Sequence, residues 1–173
     1  DSISANFLQP KWVASHWPKY VEGCETAGRK ADPKNWRVAK SIFVADDDRV
    51  AEEYGTVEGG PYHFYYNSLF TKLKIAGRAN LFKTERDQPD EDLNLETIVD
   101  QLVIRGSVNS VVDQILAFRE EIGDFGTLLY AGHDWKDKGL ARRSMELMAT
   151  EVMPRVNEAI GNNVDNEEMR NAG

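Results

Sequence analysis

The chain has 173 residues, 41% of them hydrophobic and 29% charged, which is enough apolar material for one folded domain and excludes wholesale disorder. A formal net charge of -8 without a basic stripe argues against nonspecific binding to nucleic acid or to an anionic membrane. A single cysteine, Cys24, excludes an internal disulfide, and no apolar run is long enough to span a bilayer, so a cytoplasmic location is expected.

In chain order, strands alternate with helices. Ser2 to Leu8 reads as a short strand bounded by Pro10. Lys11 to Gly28 has helical spacing, with Pro18 expected to bend the helix or delay its start. Asp32-Pro33 marks a turn, and Trp36 to Ala45 is the next strand, β-branched and aromatic at its end. Asp46, Asp47 and Asp48 follow at once. Without the glycine-turned ligand spacing of a calcium loop, they read as caps of a helix starting near Arg49. Gly59-Gly60-Pro61 breaks the chain ahead of an aromatic-rich helix over Tyr62 to Ala76, ended by Gly77.

The stretch from Arg78 to Asp92 is polar and turn-rich, of a length typical of a lid, and Leu93 to Leu102 reads as a short helix. Ser107 caps a helix over Val108 to Ile122, whose Val111, Ile115, Phe118 and Ile122 form one stripe. Thr127 to Ala131 is a continuous apolar run expected to be a buried parallel strand. The last helix runs from Leu140 to Ile160, with Pro154 a candidate kink, and a polar tail occupies 161–173. The pattern predicts an α/β fold with a parallel sheet. Three core strands cannot close a barrel, and they leave a sheet face poorly covered. With no initiating methionine and a first element already in strand, the chain reads as a piece of something longer.

Ligands of parallel α/β folds bind at the C-terminal ends of the strands. That selects Ala5-Asn6-Phe7, Val44 to Asp48, and above all Gly132-His133-Asp134-Trp135. There Gly132 permits close approach, His133 can move a proton near neutral pH, and Trp135 can wall an aromatic ligand. The alternative is a strand end whose polar residues cap a turn. His16 and His63 lie in aromatic helical surroundings and read as packed or surface residues. Phosphate-loop, nucleophile-elbow and zinc-ligand motifs are absent, so no metal is expected.

Longer motifs carry a resemblance. They are Leu102-Val-Ile-Arg-Gly-Ser, Gly126-Thr-Leu-Leu-Tyr-Ala-Gly-His-Asp-Trp, Ala141-Arg-Arg-Ser-Met-Glu-Leu-Met-Ala and Glu151-Val-Met-Pro-Arg-Val. Trp36-Arg-Val-Ala-Lys-Ser-Ile-Phe-Val-Ala-Asp and Gly60-Pro-Tyr-His-Phe-Tyr-Tyr accompany them. Over Ser2 to Ile160 the chain resembles the C-terminal part of the bacterial-luciferase-like flavin-dependent monooxygenases, in their limonene-monooxygenase-like branch. It departs at Val108, where the family often has proline.

The resemblance implies part of a (β/α)8 TIM barrel: Ser2 to Leu8, Trp36 to Val44 and Thr127 to Ala131 as strands six to eight. It also implies reduced FMN delivered by a separate flavin reductase, and a flavin hydroperoxide that oxygenates a small organic substrate. The catalytic histidine and most phosphate contacts would come from a missing N-terminal half-barrel. Only Asn6, Phe7, His133 and Trp135 carry over as cofactor-wall residues, and 77–100 falls at a mobile flavin-covering segment. A homo-oligomer is expected. Two other readings stay open: a non-catalytic companion half-barrel, and a deazaflavin-dependent oxidoreductase.

Overall fold

The computed structural model describes residues 2–133 and 136–161; Asp134, Trp135 and the tail from 162 lie outside the described residues. Four strands form one sheet: β1 (Ser2–Ser4), β2 (Trp36–Val44), β3 (Val103–Gly106) and β4 (Thr127–Ala131). β2 is the hub and every pairing is parallel. β1 runs beside Trp36 to Val38, β4 beside Arg37 to Ser41, and β3 beside Ser41 to Val44. Because β1 and β4 both pair with Arg37 and Val38, they lie on opposite edges of β2.

Several expectations need correction. β1 ends at Ser4, not Leu8, because the chain turns at Asn6 and directs Phe7 and Leu8 into side clusters. The first helix is two helices, α1 (Pro10–Ala14) and α2 (His16–Thr26), with Pro18 tolerated in the first turn of α2, where an amide hydrogen has no helical partner. β3 is a fourth strand, short enough to be hidden between the helices that flank it. β4 is only half buried: Leu128 and Tyr130 pack inward, while Thr127 and Leu129 are exposed.

Helices cover both faces of β2, contrary to the poor coverage expected of so few strands. On one face, Trp36 and Val38 pack with Val13 of α1 and Phe118 and Ile122 of α6 (Val108–Ile122). Further along that face, Ile42 and Val44 pack with α6, α7 (Lys138–Leu147) and α8 (Met153–Ala159). On the opposite face Phe43 meets α3 (Asp48–Thr56), α4 (Pro61–Ile75) and α5 (Leu95–Leu102). That second face is covered only toward the C-terminal ends of the strands. Nearer its start, Ile3 is 63% exposed, and Arg37, Thr127 and Leu129 are exposed beside it.

The junctions follow local chemistry. Asp47 is the N-cap of α3, its carboxylate accepting from the Val50 amide at 2.8 Å. Ser107 holds the N-cap position of α6, but the side chain at work there is Asp48, whose Oδ1 accepts from the Ser107 amide at 2.6 Å. The last helix carries a π-helical turn over Met148–Val152 just ahead of Pro154, which lets the ring enter α8 near its start.

Candidate functional site

Asn6 lies two residues beyond β1 and His133 two residues beyond β4, so both stand at the C-terminal end of the sheet. Between them the second face of β2 presents Ser41, and α4 folds back across all three. Its Tyr62, Tyr65 and Tyr66 fall within five positions after Gly60-Pro61, so one and a half turns of helix supply three rings.

Asn6 organises the polar part. Its Nδ2 donates to Ser41 Oγ at 2.9 Å, and its Oδ1 accepts from the Tyr65 hydroxyl at 3.1 Å. Its main-chain oxygen accepts from the Tyr66 hydroxyl at 3.1 Å, and that hydroxyl lies 3.1 Å from Ser41 Oγ as well. Each polar atom of the Asn6 amide therefore has a partner, which fixes the orientation of the amide. Tyr62 donates to the Ile42 main-chain oxygen at 2.5 Å.

His133 supplies the aromatic part. Its ring centroid is 4.7 Å from that of Tyr62, edge to face, and 4.8 Å from that of Tyr65. Its main-chain oxygen accepts from the Tyr54 hydroxyl at 3.2 Å. Tyr65 thus touches both Asn6 and His133, two residues 127 positions apart in sequence. Phe7 packs against the same cluster but turns toward Phe82, 6.2 Å between ring centroids.

Burial pushes the Tyr62 and Tyr66 hydroxyls well above the ordinary phenol range, so both remain protonated donors across the physiological range. The polar groups described are amide, hydroxyl and imidazole, set among aromatic faces. Such a set can stack and hydrogen-bond a planar, largely uncharged ring and keep water from it. Among the described residues no cluster of histidine, cysteine and carboxylate side chains could hold a metal. No described helix is long and apolar enough to cross a membrane.

Of the residues selected from sequence, Asn6 and His133 meet at one site, Phe7 borders it, and Trp135 lies outside the described residues. Sequence reasoning missed Ser41, Tyr62, Tyr65 and Tyr66 as site residues. The available signal was the run of tyrosines opening a helix directly after Gly-Gly-Pro. His16 is packed as expected, its Nδ1 2.8 Å from Ser4 Oγ, and the His63 Nδ1 accepts from the Gly59 amide at 3.3 Å. Cys24 is buried.

No family model matches the chain. Its relatives are nevertheless luciferase-like flavin monooxygenases, the class that its motifs resemble. The 4-hydroxyprotoasukamycin monooxygenase of Streptomyces nodosus subsp. asukaensis is 33% identical over 146 residues, 84% of this chain and 37% of that enzyme. The 3,6-diketocamphane 1,6-monooxygenase of Pseudomonas putida is 29% identical over 142 residues, 82% of this chain and 37% of that enzyme. Among solved structures, the oxygenating constituent of 3,6-diketocamphane monooxygenase, a type II Baeyer-Villiger monooxygenase in complex with FMN, superposes with a TM-score of 0.73. It is 28% identical, and the match covers 90% of this chain and 42% of that one. The chain therefore spans well under half the length of the relatives it matches.

Proposed function

We propose that this chain is the C-terminal part of a flavin-dependent monooxygenase with a (β/α)8 barrel, and that β1, β2 and β4 are its sixth, seventh and eighth strands. One observation carries the reading. A chain matched over 90% of its length to 42% of an FMN-bound monooxygenase brings Asn6 and His133, selected from sequence as flavin-wall residues, to one site at the C-terminal end of a parallel sheet. The half-open second face supports it, since a face with Ile3 and Leu129 exposed suits a barrel interior awaiting further strands.

Bound here, reduced FMN from a separate flavin reductase would supply the electrons for activating O2 and oxygenating a small organic compound. The residues of this chain wall the ring. Asn6 and Tyr65 present amide and hydroxyl, His133 and Tyr65 present aromatic faces, and the buried tyrosines exclude water. The segment 77–100 is the lid. Phe82 anchors it against Phe70 at 5.5 Å and Phe7 at 6.2 Å, while most of its polar side chains stay in solvent.

The test is FMN affinity in the complete protein. His133→Ala and Tyr65→Ala should each weaken binding about tenfold or more, the scale of one lost buried contact. Unchanged affinity in both, with melting temperatures preserved, would overturn the placement of the flavin.

A further inference from the structure

A second cleft lies on another part of the molecule, where α1 and the start of α2 face the segment after α4. It has a volume of about 410 Å³ and shares no residue with the Asn6–His133 cluster. Its polar side chains are His16, Asn80, Lys83 and Arg86, and no carboxylate lines it, although the chain carries a net charge of -8. Trp12 and Leu81 form apolar walls.

The charges around the cleft are mostly paired. Lys11 pairs with Glu85, and Lys83 Nζ lies 2.6 Å from Asp90 Oδ1. Arg86 has no such partner among the described residues. Its guanidinium carbon lies 5.6 Å from the centre of the Trp12 ring, within cation–π range, and no described side chain accepts from its donors. The indole itself is pinned, Nε1 donating to the Lys83 main-chain oxygen at 2.6 Å.

His16 adds a donor. Trp36 Nε1 can only donate, and it does so to Ser4 Oγ at 2.9 Å. The Ser4 hydroxyl proton is then directed to its other partner, His16 Nδ1, at 2.8 Å. This assigns the neutral ring proton to Nε2. Burial holds the imidazole pKa below its ordinary value and keeps the neutral form dominant.

We infer that this cleft is a binding site for a small organic monocarboxylate. The carboxylate is received by the Arg86 fork with the donors of His16 and Asn80, and the apolar body lies along Trp12 and Leu81. A guanidinium fork matches a carboxylate two bonds at a time, and the volume suits a compact ring rather than a long chain. Lys83 and Arg86 both come from the segment that packs beside α4, so an occupied cleft ties that segment to α1.

Benzoate is the probe and benzamide its uncharged counterpart, titrated into the full chain while the indole N–H resonances are followed by NMR. Benzoate should saturate and shift the Trp12 resonance, benzamide should bind at least about tenfold more weakly, and Arg86→Gln should lose benzoate binding by a similar factor. Arg86 is exposed, so the variant should fold, and an unchanged melting temperature checks this. Trp12→Phe then confirms the assignment by deleting the shifted resonance. Equal binding of benzoate and benzamide, benzoate binding that survives Arg86→Gln, or no saturable shift of Trp12 overturns the inference.

Discussion

Lys40 is the residue whose burial most needs explaining. It is 3% exposed on the face of β2 that packs against α1 and α6, its Nζ donating to the Leu102 main-chain oxygen at 3.4 Å and standing 5.0 Å from the Phe118 ring centre. Loss of hydration lowers its pKa to about 8, against a smaller opposing pull from Glu121. Between pH 8 and 10.5 the folded lysine is largely neutral and the unfolded one charged, so unfolding takes up a proton and stability rises with pH. The shift corresponds to about 3 kcal/mol over that interval. Above pH 10 the buried tyrosines oppose it, because their pKa values are raised on folding. Denaturant unfolding from pH 8 to 10 should therefore show rising stability, and Lys40→Met should remove the slope; a flat wild-type profile would contradict this. Gly126 makes a steric prediction. A β-carbon there would sit 2.0 Å from the Lys34 main-chain oxygen, where the Gly126 amide also bonds Trp36. Gly126→Ala should cost roughly 1–3 kcal/mol by thermal denaturation.

At the scale of elements, the three aspartates after β2 do separate work. Asp46 pairs with Arg143 of α7 at 2.7 Å, Asp47 caps α3, and Asp48 receives the first amide of the α6 junction. Asp47→Ala should lower stability by about 1 kcal/mol. Asp48→Ala should cost a similar amount and lower amide protection in the first turn of α6, which hydrogen exchange reads directly. The capping role of this run was legible because acids before a helical pattern have a local reason to be there. The strand β2 was legible for the same kind of reason, in the chemistry of its own residues. β3 was not, because four residues between two helices give no periodicity, and its identity rests on Ser41 to Val44, some 60 residues earlier. β4 was read as buried from its apolar run, yet apolarity does not say how many neighbours a strand has, and Leu129 faces out. At the site, Asn6 and His133 stood out as polar residues ending apolar strands. Tyr65 did not, because its role appears only once α4 folds across the sheet.

At the scale of the whole molecule, one face of the sheet is covered along its length and the other only toward the C-terminal ends of the strands. Apolar surface gains about 25 cal/mol per Å² when buried, and the charge of -8 slows association without removing that drive. Sedimentation across a range of concentrations should reveal self-association or a hydrophobic-dye-binding monomer. Replacing Ile3 and Leu129 by lysine should reduce both, with little change in melting temperature, since both side chains already face solvent. A monomer at all concentrations with no dye binding would mean that the open face needs no cover. On the function proposed above, the same face sets the division of the flavin site: this chain would supply the wall around Asn6 and His133, and strands that complete the barrel would supply the rest. Titration of FMN followed by flavin fluorescence tests this division most directly. The 173-residue chain should bind FMN weakly or not at all, while the protein with its barrel complete binds it stoichiometrically. Tight one-to-one binding by the 173 residues alone would contradict it.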